Sequence, residues 1–208
     1  MFLLSKTQIL YVVLACVACI AILCFAFYPL FRKLTYRKAF NKKYYKVINK
    51  LVIDEDYLLI NNFVIKNLKL KIDHIVFANK YIYLIKDAYF EGALEGKIKD
   101  NKLIYYPYRN REVLTTVNPY VQLKEDYDNI VRLAGIDAHF FQLITLINDD
   151  VLINLEKIDV SNYHVVSRSN LISTIKNIEN TAKVKDFNQD ALIKAARDIS
   201  RINERKRK

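Results

Sequence analysis

An aspartate, Asp73, opens the apolar segment KIDHIVF, and the next such segment, YIYLIKDAYF, carries Lys86, Asp87 and Ala88 toward its end. Beyond it, EGALEGK supplies Glu95 and Lys97. A carboxylate at the mouth of one strand and an acidic-x-Lys triplet on the next can hold Mg²⁺ beside a phosphodiester. The carboxylates chelate the ion, the ion polarises the phosphate and acidifies an attacking water, and the lysine steadies charge developing on phosphorus. Lys86-Asp87-Ala88 is not such a triplet, whereas Glu95-Gly96-Lys97 is. Neighbouring strand residues face opposite sides, so Asp87 is expected to turn away from Asp73. Glu95 and Lys97 reach Asp73 only if the hairpin is extended, with Gly92 or Gly96 supplying a kink. Against that stands a plainer reading, in which Glu91, Glu95 and Lys97 form a solvated turn and Lys86 pairs with Asp73 as a structural contact.

Other chemistry is thinly represented. His74, His139 and His164 lack metal-ligand spacing and read as surface or partly buried histidines. The tyrosines of KLIYYPYRNR, beside Arg109 and Arg111, have the composition to stack on bases, but a tyrosine-rich hairpin packing on its neighbours is the commoner use. There is no glycine-rich phosphate loop and no serine–histidine arrangement.

The elements that must position these groups follow from periodicity. Ala39, Phe40, Tyr44, Val47, Ile48 and Leu51 recur at helical intervals. YLLINNFVI, KIDHIVFA and YIYLIKDAYF read as strands, the last two joined tightly at Asn79-Lys80, and GKIKDNKLIYYPY reads as a further strand or pair turning at Asp100-Asn101. Asn118, Pro119 and Gly135 bracket a helix from Pro119 to Ala134 with an N-cap, a proline in the first turn and a glycine stop. HFFQLITLIN and YHVVS read as buried strands, and RSNLISTIKNI and NQDALIKAARDISRINERK as helices. The succession predicts an α/β domain with a mixed sheet flanked by helices.

Before that domain, Ile9 to Phe31 is a run of 23 residues without a charge. As a helix it would be about 35 Å long, against a hydrocarbon core of about 30 Å, and it is too long for the apolar part of a cleaved signal. It is expected to be a retained transmembrane helix after a short extracytoplasmic N-terminus at 1–8. Residues 32–50 carry eight Lys and Arg and no acid, including Arg32, Lys33, Arg37 and Lys38, against Lys6 alone on the other side. The positive-inside tendency then places the rest of the chain in the cytoplasm, single-pass, with this basic amphipathic segment at the cell membrane's lipid head groups. Cys16, Cys19 and Cys24 all lie in the apolar run, so the domain has no cysteine for a disulfide or a metal. Although the chain carries +11, residues 51–200 hold 19 Lys and Arg against 21 Asp and Glu, a net of −2. The excess sits beside the apolar run and in the tail RINERKRK, so a broad phosphate-binding face is not legible in the body of the domain.

The stretches VIKNLKLKIDHIVFANKYIYLIK, NPYVQLKEDYDNI, FFQLITLIND and YHVVSRSNLISTI, in this order and spacing, resemble the NERD family, the nuclease-related domain, over roughly residues 39–178. The resemblance implies a restriction-endonuclease-like fold, here preceded by a transmembrane helix and followed at 179–208 by an amphipathic helix with a basic tail. It matches Asp73 to the family's first carboxylate and Gln122 to the glutamine at the start of its helix. It also exposes departures. The family's hydrophobic-Glu-hydrophobic-Lys falls on Ile85-Lys86-Asp87-Ala88, so Lys86 replaces the acid and Ala88 the lysine, and a glutamate of the first helix falls near Tyr44. An ammonium in place of a chelating carboxylate reverses the local charge. The expectation is a divergent, membrane-anchored member with a degenerate site, acting in nucleic-acid or protein binding without a cofactor. Two alternatives remain open: an active Mg²⁺ nuclease using Asp73 with Glu95 and Lys97 or Asp87, and a membrane scaffold with no nucleic-acid contact.

Overall fold

A computed structural model describes residues 6–108, 112–156 and 160–203; the side chains at 6–10, 12, 13, 15 and 29–41 also lie outside the description. The chain divides into two compact units, Met1–Lys43 and Tyr44–Lys208. One long helix, α1 (Lys6–Asp54), contributes to both. In the first unit the described apolar side chains of α1 from Tyr11 to Tyr28, Phe25 among them, are exposed. Among the described residues no helix is long and apolar enough to cross a membrane. The spanning helix expected over 9–31 is therefore not found there; several positions of that run are outside the described set, as are the side chains of Arg32, Lys33, Arg37 and Lys38.

In the second unit the last turns of α1 bury Tyr44, Ile48 and Leu51, the helical stripe seen in the sequence. Among the described residues nine strands follow: β1 (Leu58–Ile65), β2 (Leu70–Phe77), β3 (Ile82–Asp87), β4 (Gly92–Lys97), β5 (Lys102–Pro107), β6 (Leu114–Val117), β7 (Phe141–Ile147), β8 (Leu152–Glu156) and β9 (Tyr163–Ser167). The helices are α2 (Pro119–Ala134) between β6 and β7, then α3 (Leu171–Thr181) and α4 (Gln189–Ile202).

These strands form two mixed sheets where the sequence suggested one. The first has the order β1-β2-β3-β7-β9, antiparallel from β1 to β3 and parallel from β3 to β9. The second has the order β6-β5-β4-β8, with β4 and β8 parallel. The reason is visible in the residues: β7, buried at every position, can only be a central strand, and it takes the place beside β3 that β4 would need to extend a single meander. The main core lies between the first sheet, α2 and α4, around Phe63, Ile72, Phe77, Leu123 and Phe141. A smaller cluster of Leu94, Leu103, Ile147 and Val151 lies beneath the second sheet.

The mixed α/β layout of two sheets flanked by helices fits a restriction-endonuclease-like fold. α2 starts and stops where its punctuation requires. The Asn118 side chain accepts from the Tyr120 N–H, Pro119 occupies the first turn, and Gly135 at φ 62° ends the helix in the left-handed conformation. Asn118 also donates to the carbonyls of Ile98 and Asp100, which ties the helix start to the β4–β5 turn.

Candidate functional site

Alternation along β2 puts Ile72, His74 and Val76 on one face and Lys71, Asp73 and Ile75 on the other. β3 runs antiparallel with His74 opposite Ile85 and Ile75 opposite Leu84. Residues directly opposite share a face, so Lys86 belongs with Asp73, and Asp87 belongs with His74. On the other side of β2, Asn61 pairs with His74 and Phe63 with Ile72, while Asn62 between them adopts φ 53°. Asparagine tolerates this left-handed conformation, and the edge strand kinks opposite Asp73.

On the Asp73 face, Asp73 Oδ2 accepts from the Asp87 backbone N–H at 3.0 Å, and Lys71 Nζ stands 3.9 Å from Oδ1. Lys86 does not pair with Asp73, as one reading of the sequence had it. Its Nζ is 3.3 Å from Asp126 Oδ2 on α2, with the side chains 18% and 10% exposed. The other oxygen of Asp126 accepts from the Lys71 N–H at 3.3 Å, so this carboxylate fastens α2 to both β2 and β3. Burial raises the pKa of Asp126, and the Lys86 ammonium and the Lys71 N–H oppose that rise. Gln122, one helical turn earlier, is exposed. Asp126 was not singled out in the sequence, yet a signal existed: it interrupts the buried stripe of Leu123, Tyr127 and Ile130 with an acid.

On the opposite face, Asp87 Oδ2 lies 3.1 Å from His74 Nε2, and His74 Nδ1 lies 2.5 Å from Asn61 Oδ1. His74 is buried with an oxygen at each ring nitrogen. Asp87 Oδ1 is buried with no hydrogen-bond partner among the described residues. Burial raises the Asp87 pKa, against the lowering hydrogen bond from His74. Tyr44 donates its hydroxyl to the Ala88 carbonyl at 3.1 Å. Two of the three positions at which the resemblance marks a departure, Tyr44 and Ala88, are thus in contact. Burial, followed by the charges of Asp87 and Asp149, pushes the Tyr44 hydroxyl far above its ordinary pKa.

Glu95 and Lys97 are not brought to this site. They lie on β4 in the second sheet, where Glu95 accepts from the Tyr106 hydroxyl at 3.0 Å and Lys97 pairs with Glu156 at 3.2 Å. The β4–β5 turn is a connection within that sheet, not an extension of the β2–β3 hairpin. Of the tyrosines in the same segment, Tyr105 packs on Phe90 with ring centroids 5.8 Å apart, and Tyr108 donates to the Asp150 carbonyl. Arg109 and Arg111 lie outside the described residues. His164 is half-buried, 3.2 Å from Gln142 Oε1, its pKa lowered by burial, and His139 is exposed beside Asp137.

Mg²⁺ asks for a shell of oxygens. Asp73, Lys86 and Asp126 offer two carboxylates and an ammonium already bound to one of them, so these residues do not fit the ion implied by the resemblance. Among the described residues no group of three or more His, Cys, Asp and Glu is placed to hold a metal.

The buried acids give the fold a pH signature. Asp87, Asp126 and Glu179 all have raised pKa values, burial being the largest cause for each. A carboxyl whose folded pKa exceeds its unfolded value, near about 4, contributes stability at low pH and loses it as pH rises through the folded value. Thermal unfolding midpoints are therefore expected to fall as pH rises from mildly acidic to neutral, and Asp87→Asn to flatten that slope. A slope that Asp87→Asn leaves unchanged removes Asp87 from the explanation.

Comparison with known protein families matches residues 35–147 to the family described as the nuclease-related domain. No curated protein and no solved structure matches the chain.

Proposed function

Because the chain belongs to the nuclease-related domain family, we propose that it is a member that binds without cutting, tethered to a membrane by residues 9–31 and engaging nucleic acid or protein from the cytoplasmic side. The observation that carries this reading is the Lys86–Asp126 ion pair, an ammonium held by α2 at the strand position where the family resemblance expects a chelating carboxylate. With Ala88 in place of the lysine, that strand position supplies no cation to steady a pentavalent phosphorus. Asp73 survives as a backbone acceptor for Asp87, a structural role that needs no metal. Exposed Lys71 and Gln122 flank Asp73 and Asp126, and they are the donors on this face available to a phosphate or to a partner's polar groups.

What supports the anchor is the uncharged run of 23 residues within a single helix, followed by eight cations without an acid. The −2 balance of residues 51–200 favours a second reading, a membrane scaffold that meets protein only.

Full-length protein incubated with DNA and RNA in Mg²⁺ or Mn²⁺ is expected to leave both intact. Cleavage that disappears in Asp73→Ala would restore the active nuclease. Nucleic-acid affinity, if that is the ligand, should fall steeply with salt; no affinity at low ionic strength leaves the protein-only scaffold. Fractionated cells should hold the chain in the membrane pellet after an alkaline wash, and its release into the supernatant would remove the anchor.

A further inference from the structure

The two sheets have four edges, and they are not treated alike. At β1, the Val64 N–H donates to Asn203 Oδ1 at 3.2 Å, so the first sheet's edge is partly covered from the end of α4. Among the described residues nothing comparable is found at β8. Its ladder to β4 accounts for one side, and no other backbone hydrogen bond from residues 152–156 is found among the described residues. Leu152 is 64% exposed and Ile153 38%. Being consecutive, they point to opposite faces, so the edge is apolar above and below. LINLE contains no proline, lysine or bulge, the usual devices that keep an edge strand from pairing.

We propose that β8 is a strand-pairing site for a second copy of this chain, antiparallel about a two-fold axis through Asn154. This inference does not depend on the function proposed above. The strand reads nearly the same in both directions about Asn154, with Ile153 and Leu155 flanking it. Centring the axis there engages all five residues, setting Asn154 against its own copy, Ile153 against Leu155 and Leu152 against Glu156. The register places no like charges opposite each other. Glu156, the only charge on the strand, is already paired with Lys97 of its own chain at 3.2 Å. Ile153 and Leu155 lie in register with Leu94 and Gly96 of β4, and Leu155 packs against the cluster beneath the second sheet, so the pairing continues that core across the axis. A strand from an unrelated protein would satisfy the same backbone groups, but it would make no use of this symmetry. An isologous pair needs a self-complementary patch, and β8 is one.

The test uses the full chain in detergent with Cys16, Cys19 and Cys24 replaced by serine, so that single new cysteines report alone. In Asn154→Cys the two sulfurs meet across the axis, within the Cα separation of about 4.4–6.8 Å that a disulfide spans. In Leu152→Cys they stand about 13 Å apart, four residues of strand rise. Mild oxidation is expected to link Asn154→Cys at least about tenfold faster than Leu152→Cys, since only the first geometry permits the bond. Asn154→Lys sets two ammonium groups face to face, which should raise the dimer's dissociation constant about fivefold or more and leave unchanged the unfolding midpoint measured at concentrations where both proteins are monomeric. Three results would each overturn the proposal: wild-type mass that stays monomeric by light scattering at tens of micromolar, equal linking of the two cysteine variants, or a dimer undiminished by Asn154→Lys. A monomer whose β8 amides are protected only by another protein's strand counts against it equally.

Discussion

Lys86→Glu is expected to lose about 3–5 kcal/mol of folding stability in metal-free buffer and to recover part of it when Mn²⁺ or Mg²⁺ is added. The loss follows from what surrounds Lys86. Its ammonium neutralises Asp126, which is 10% exposed and has no other cation in hydrogen-bond contact among the described residues. Removing one partner of a buried pair leaves the other charge uncompensated, and a glutamate adds a second negative charge on the face that already holds Asp73. The recovery follows from the same crowding, since three carboxylates on facing elements form a cation site that the wild type lacks. Adding Ala88→Lys would complete the family's strand pattern. Denaturant unfolding with and without Mn²⁺ reads both effects. A Lys86→Glu variant as stable as wild type, or a wild type that Mn²⁺ stabilises equally, contradicts the role given to Lys86.

The second large effect belongs to a residue with no side chain. Gly92 opens β4 at φ 150°, and a Cβ built there would lie 1.9 Å from the Tyr106 carbonyl oxygen on β5. A backbone atom cannot swing aside as a side chain does, so Gly92→Ala forces β4 from β5 at the pair Gly92–Pro107. The expected cost is at least about 3 kcal/mol, among the larger losses for single substitutions. It should appear first as faster amide exchange in β4 and β5, with β2, β3 and β7 unaffected. Gly135 provides the comparison. A Cβ there meets nothing within 4 Å, so Gly135→Ala should cost only the left-handed strain at φ 62°, about 1 kcal/mol. Equal losses for the two substitutions would remove the steric argument.

Local chemistry makes much of this legible in the sequence. The Asn118-Pro119 start and Gly135 stop of α2, the β2–β3 hairpin and the Tyr44, Ile48, Leu51 stripe are written in neighbouring residues and appear where the sequence puts them. What was not legible depends on contacts between distant segments. β6 and β8 are short, with four and five residues, and neither shows a clean alternation, so nothing in LTTV or LINLE announced a strand. The second sheet exists because β8 returns to lie beside β4, a pairing across more than fifty residues that no periodicity records. Around Asp73, alternation was enough to separate Asp87 from Lys86, but the partner of Lys86 came from α2. Only the fold sets Asp126, forty residues away, against it.

The bond between the Val64 N–H and Asn203 Oδ1 joins residues 139 apart. A chain made from its N-terminus must therefore carry β1 unguarded through most of its synthesis, with its free amides open to other strands until α4 emerges. Covering this edge is expected to come late in folding, since contacts of such sequence separation form slowly. Arrested translation short of Asn203 should leave a species that pairs promiscuously, which makes α4 a guard against misassembly as much as a part of the core.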